Sequence, residues 1–96
     1  MFNEGAKNMR LVGGPRTFYE NYTTTTLYSE REFGNPLNTL VIANDSATDT
    51  ITVSYNGSVV EAELYPKESI DLNVSSLEGI WVRGAAGGGA VRLWGF

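Results

Sequence analysis

The chain has 96 residues with neither cysteine nor histidine, which removes disulfides, thiolate nucleophiles, zinc sites of the Cys/His kind and the commonest general base. Seven Lys and Arg against eleven Asp and Glu leave a net charge of −4, the wrong sign for a protein that coats nucleic-acid phosphates. One domain's worth of chain excludes separate substrate and cofactor modules, and no apolar run reaches the length of a membrane span.

The opening Met1-Phe2-Asn3-Glu4-Gly5 shows neither the basic nor the apolar region of a secretory signal, so the protein is expected to be made in the cytoplasm. In that setting the Asn-x-Ser/Thr triplets beginning at Asn21, Asn44, Asn56 and Asn73 read as accidents of composition. Residues 1–36 are rich in Asn, Gly, Thr and Tyr, with only Leu11, Val12 and Leu27 as aliphatic residues for a strand or core. Lys7, Arg10, Arg16 and Arg31 balance Glu4, Glu20, Glu30 and Glu32, so the whole net charge lies in residues 37–96. This change near Pro36 divides the chain into a largely extended N-terminal arm, 1–36, and a body, 37–96.

Within the arm, Thr23-Thr24-Thr25-Thr26 has strong β-propensity and little apolar content. It reads either as the first strand of this domain or as a strand that adds to a neighbour's sheet. Arginines and aromatics alternate around it: Arg10, Arg16, Phe18, Tyr19, Tyr22, Tyr28, Arg31 and Phe33. Planar groups of these types fill interface pockets at low entropy cost, which makes the eight the candidate partner-binding residues. An ordinary polar loop region is the plainer reading.

The body reads as short strands bounded by turns. Thr39-Leu40-Val41-Ile42-Ala43 is a nearly continuous apolar run, expected to be a central strand buried on both faces and ended by Asn44-Asp45-Ser46. Asp45 and Asp49 bracket the turn and offer oxygens to calcium, but the alternating acidic pattern and central Gly of a calcium loop are missing, so a plain turn is the better account. Ile51, Val53 and Tyr55 fall on one face against Thr50, Thr52 and Ser54, and Asn56-Gly57 predicts a two-residue hairpin turn. The returning strand then points Val60, Ala62 and Leu64 inward and Glu61 and Glu63 outward. Those carboxylates would stand about 7 Å apart, a glycosidase-like spacing, but nothing else supports that chemistry and a solvated outer face accounts for them.

After a turn at Pro66-Lys67-Glu68, Ile70, Leu72 and Val74 alternate, and Ser75-Ser76-Leu77-Glu78-Gly79 is expected to connect to the next strand. Ile80–Arg83 and Val91–Phe96 form a last hairpin around residues 84–90. Gly87-Gly88-Gly89 lacks the Gly-Lys-Ser/Thr of a phosphate loop, and reads as a hairpin tip able to lie flat against a partner. No segment holds helical periodicity. The expected fold is all-β, a small antiparallel sandwich or barrel. No catalytic constellation, metal set or cofactor motif stands out, so the expectation is a non-enzymatic protein. A body of 60 residues is small, and its final strand carries bulky Trp94 and Phe96, which need cover from the arm or from another subunit.

The runs LVIANDSATDTITVSYNG, LYPKESIDLNV and GIWVRGAAGGGAVRLWGF resemble the small β-structured virion proteins of tailed bacteriophages, most closely those that decorate or cement the capsid. The likeness lies in arrangement: an apolar strand into an Asn-Asp turn, a Val-Ser-x-x-Gly hairpin, a Pro-x-Glu-Ser turn, and an aromatic-basic strand beside a Gly-rich tip. It implies a structural protein on the outer surface of the capsid, a homotrimer that bridges major capsid protein subunits and stabilises the shell. Its partners would be itself and that capsid protein, with no nucleic acid, membrane or cofactor. Related modules in tails, head fibres and connectors leave those positions open, as does a host-glycan-binding role in which Trp81 and Trp94 supply exposed aromatics.

Overall fold

The computed structural model describes residues 18–96. Six strands follow one another: β1 (Phe18–Thr23), β2 (Ser29–Asn44), β3 (Ile51–Ser54), β4 (Ala62–Leu64), β5 (Ser69–Gly84) and β6 (Ala90–Gly95). They form one antiparallel sheet in the order β1-β6-β2-β5-β3-β4, with no helix among the described residues. The all-β antiparallel class expected from the alternating residues is the class observed.

Two long strands decide the shape. β2 and β5 pair along both of their halves, but their register shifts between Glu32 and Leu37 and again before Thr39. Gly34 and Ser76 take left-handed backbone there, with φ of 85° and 54°. On one side of this irregularity Leu40–Asn44 of β2 also pair with β6; on the other, Trp81–Gly84 of β5 also pair with β3. The strands thus turn a corner, and the sheet folds over on itself. One layer is β1, β6, the second half of β2 and the first half of β5. The facing layer is the first half of β2, the second half of β5, β3 and β4.

The inner faces meet in a single apolar cluster. Leu40, Ile42, Val91 and Leu93 come from the first layer; Ile51, Val53, Leu64, Ile80 and Val82 come from the second; Phe33 and Leu37 fill the bend. Burying one such side chain contributes about 1.5–3 kcal/mol, so this cluster is the main favourable term of the fold. Gly95 sits where any Cβ would run into the Thr39 carbonyl oxygen and the Leu37 side chain, which lets β6 approach the bend closely.

Several expectations are revised by this geometry. Pro36 lies inside β2, and residues 18–36 supply β1 and the first half of β2, so the change of composition at Pro36 is not a structural boundary among the described residues. Ser75–Gly79 are a bulged stretch of β5 rather than a connection. Of the threonine run only Thr23 is in a strand; Thr24 is buried and works as a clasp, accepting hydrogen bonds from Gly88 N–H at its carbonyl and from Gly89 N–H at its hydroxyl. β1 itself pairs with β6 of its own chain.

The Asn56-Gly57 hairpin is also wider than predicted. β3 and β4 pair as Ile51↔Leu64, Thr52↔Glu63 and Val53↔Ala62, leaving residues 55–61 as the loop. Gly57 does take positive φ, at 80°, but it does so to lie against the Trp81 ring, 3.0 Å from where a Cβ would be. Ser54 Oγ accepts from Asn56 and Gly57 N–H, and Asn56 Oδ1 accepts from Ser58 and Val59 N–H, so the loop is held by its own side chains. Val60, expected to point inward, is exposed in this loop, while Leu64 is buried as expected.

Candidate functional site

Four of the eight candidate residues come together, buried or partly buried, between β1 and β2. Phe18 of β1 and Phe33 of β2 pack with ring centroids 4.8 Å apart. Between the same strands Arg31 donates from Nε to Glu20 Oε1 at 3.1 Å and from Nη2 to Oε2 at 2.5 Å, and its Cζ lies 4.2 Å over the Tyr22 ring. The Glu20 carboxylate raises the Arg31 pKa, which keeps the guanidinium charged. β1 belongs to one layer and this part of β2 to the other, so Phe18, Tyr22, Arg31 and Phe33 close the open side of the sandwich.

The remaining four have other settings. Tyr28 is half-buried beneath Arg83, whose Cζ is 4.4 Å from the ring centroid. Tyr19 is 60% exposed, its hydroxyl donating to Asn21 Oδ1 at 3.5 Å. Arg10 and Arg16 lie outside the described residues.

Tyr19 points to the outer face of the first layer, where β1, β6 and β2 run side by side. Register places Tyr19 beside Trp94 and Trp94 beside Val41; the next outward row is Asn21, Arg92 and Ala43. Phe96 extends the same alternation past β6 and is 43% exposed, its backbone paired with Thr39. Tyr19, Trp94 and Phe96 therefore form an aromatic strip on the outer face of the first layer.

An ion pair fixes one end of the strip. Arg92 donates from Nε to Asp45 Oδ2 at 2.6 Å and from Nη2 to Oδ1 at 3.1 Å, while its Cζ stands 5.2 Å over the Trp94 ring. The Arg92 hydrogen bonds hold the Asp45 carboxyl below its ordinary pKa, and Asp45 raises that of Arg92. Lys67 Nζ also donates to the Asp45 carbonyl at 3.0 Å. Neighbouring tyrosine, tryptophan and braced arginine on one exposed face match the side-chain types that carry binding energy in protein interfaces. The bulk of Trp94 and Phe96 was legible in the sequence; their adjacency to Tyr19 and Arg92 required the β1–β6 pairing.

The other readings of the sequence are separated by the fold. Trp81 and Trp94 lie on opposite outer faces, with Trp81 half-covered by Gly57, so they do not make one sugar site. Asp45 turns to Arg92, whereas Asp49 is buried and accepts from Ala86 N–H at 2.9 Å, so the two do not converge on a cation. Asn44, fully buried, instead organises that turn by donating to the Asp49 and Leu64 carbonyls. Glu61, just before β4, and Glu63, within it, are both exposed. A groove of about 350 Å³ at the bend is lined by Glu30, Glu32, Gly34, Asn35, Pro36 and Glu78, with no basic or nucleophilic group among them. Among the described residues no group of three or more Asp or Glu is placed to hold a metal ion.

Comparison of the chain with protein-family models and with curated proteins finds no match in either.

Proposed function

We propose that the protein is a non-enzymatic structural component of a tailed-bacteriophage virion, a decoration protein on the outer capsid surface that stabilises the shell by bridging major capsid protein subunits. The arrangement of residues 37–96 suggests the class, with a trimer as its implied state. The observation that supports a partner-binding role is the strip of Tyr19, Trp94 and Phe96 beside the Arg92–Asp45 pair. Ring faces supply contact area and the braced guanidinium supplies directed donors, so each copy makes a modest contact. Several copies held together convert such contacts into firm retention through effective concentration.

The test uses expanded capsids of the encoding phage that lack this protein. Purified protein should co-sediment with them and raise their resistance to heat, and the Tyr19→Ala/Trp94→Ala variant should lose both effects while keeping its β-type circular dichroism. No co-sedimentation, or an equally effective double variant, would sink this reading. A host-glycan-binding role draws on the same side-by-side Tyr19 and Trp94, whose ring faces suit sugar C–H groups. Glycan-array binding lost in that double variant, with no affinity for capsids, would favour it instead.

A further inference from the structure

The folded-over sheet leaves several strand edges without a partner among the described residues, and they are not equivalent. Unpaired backbone at an edge recruits other strands unless charge, brevity or a bulge prevents it. β4 has three residues, with exposed Glu61 just before it and exposed Glu63 within it; the edge of β2 carries exposed Glu30 and Glu32; the edge of β5 carries exposed Asp71 and Glu78 and the bulge at Ser76. β1 differs, being six residues long and straight in register from Phe18↔Gly95 to Thr23↔Ala90. Its exposed side chains are Tyr19, Asn21 and Thr23, none charged, and its one charge, Glu20, is taken up by Arg31.

The β1 backbone groups that no described strand pairs can be assigned. Thr24 N–H bonds to the Gly89 carbonyl, on the β6 side, so by alternation Tyr22, Glu20 and Phe18 face β6. Tyr19, Asn21 and Thr23 then direct both N–H and C=O away from the sheet. We propose that this edge pairs with the same edge of a second copy of the chain, antiparallel about a two-fold axis at Asn21.

The edge is complementary to itself in that register. Asn21 opposes Asn21 and Tyr19 opposes Thr23, each pair exchanging two backbone hydrogen bonds. On the inner row Glu20 opposes Tyr22, the residue over which Arg31 is stacked, so each acidic group meets the other copy's Arg31-bearing ring rather than a like charge. The two sheets become one, and the strips of Tyr19, Trp94 and Phe96 join into a continuous surface. This pairing does not rest on the decoration reading and stands in place of the trimer named there: the phage resemblance implies three copies, whereas this edge closes with two.

Light scattering on the full chain, at several concentrations, gives the mass directly. The expected result is about twice 10.5 kDa, with Asn21→Pro weakening the dimer by about tenfold or more in dissociation constant, because proline removes the outward N–H at an edge position where the fold tolerates it. A second variant keeps every backbone group. In the proposed register Asn21→Cys brings two Cα atoms to about 5.5 Å, within disulfide range, so mild oxidation should link the copies covalently. Ser69→Cys, on the opposite edge of the same layer, should remain unlinked. A monomeric or trimeric full chain, or linking of Ser69→Cys as efficient as that of Asn21→Cys, overturns the pairing.

Discussion

Arg31 and Glu20 hold the two layers together at the side where no strand pairing does so. The guanidinium forks onto both carboxylate oxygens, and each side chain is only about one quarter exposed, at 26% and 27%. The pair stands against the aromatic wall of Phe18, Tyr22 and Phe33, which limits water. What reads in the sequence as an interface-like alternation of arginine and aromatics serves, in these four residues, to seal the fold.

Losing one partner leaves the other partly buried and unpaired, so the cost exceeds that of an exposed ion pair. Arg31→Met and Glu20→Gln should each destabilise by about 1–3 kcal/mol, and the double variant by less than their sum, with a coupling of at least about 0.5 kcal/mol. Urea denaturation of the four proteins completes the cycle. Strict additivity would mean that the fork does not form in solution.

Two glycines, Gly84 at the end of β5 and Gly88 in the β5–β6 connection, separate steric need from backbone need. Gly84 lies where a Cβ would collide with the Asp49 carboxylate and the Thr24 hydroxyl, both part of the clasp that pins residues 85–89. Gly88, at φ 82°, has open space around it. Gly84→Ala should cost about 2–3 kcal/mol through overpacking. Gly88→Ala should cost about 1–2 kcal/mol, the penalty of left-handed backbone alone. Thermal unfolding of both variants checks the order, and a Gly88→Ala protein less stable than Gly84→Ala would contradict it.

Local alternation made much of the fold legible, because Ile51 and Val53, or Val91 and Leu93, show their shared face within a few residues. The corner was not legible. Gly34-Asn35-Pro36 and Ser75-Ser76 announce a departure from regular strand, but the same residue types mark a loop, a bulge or a bend. Their effect depends on β2 and β5 staying paired on both sides of it. β1 was obscured for a different reason: Phe18, Tyr22 and an ion pair supply its burial, so aliphatic periodicity is absent. The conformation of Gly57 was written in the Asn-Gly dipeptide, whereas its register was set by distant Trp81. Likewise Tyr19, Trp94 and Phe96 were each visible, yet only pairing between opposite ends of the chain makes them one surface.

The Arg92–Asp45 pair gives stability a defined pH dependence. Asp45 is held below the carboxyl value of about 3.9 expected in the unfolded chain, so as pH falls the unfolded state takes up its proton first. The contribution is complete above that unfolded value and disappears as pH drops through the lower native one. Both side chains are more than a third exposed, at 42% and 36%, so screening keeps the effect within about 1 kcal/mol. Wild type should exceed Asp45→Asn in stability near neutral pH by an amount that shrinks with salt and closes as the pH falls below the unfolded carboxyl value of about 3.9. A gap that persists undiminished in acid would assign the effect to packing.

The contact between Gly57 and Trp81 can be read optically. Residues 55–61 add little to the core, since Tyr55, Val59 and Val60 are exposed, so lifting this loop should leave the sheet intact. An alanine at 57 meets two obstacles, positive φ and the indole ring 3.0 Å from its Cβ, and the backbone strain alone is worth about 1–2 kcal/mol. With only two tryptophans in the chain, Trp94→Phe isolates the emission of Trp81. In that background Gly57→Ala should shift the emission to longer wavelength and increase acrylamide quenching as water reaches the ring, with β-type circular dichroism retained. Unchanged emission and quenching would mean that the loop does not rest on the indole in solution, and that Asn56-Gly57 answers only to its own local turn.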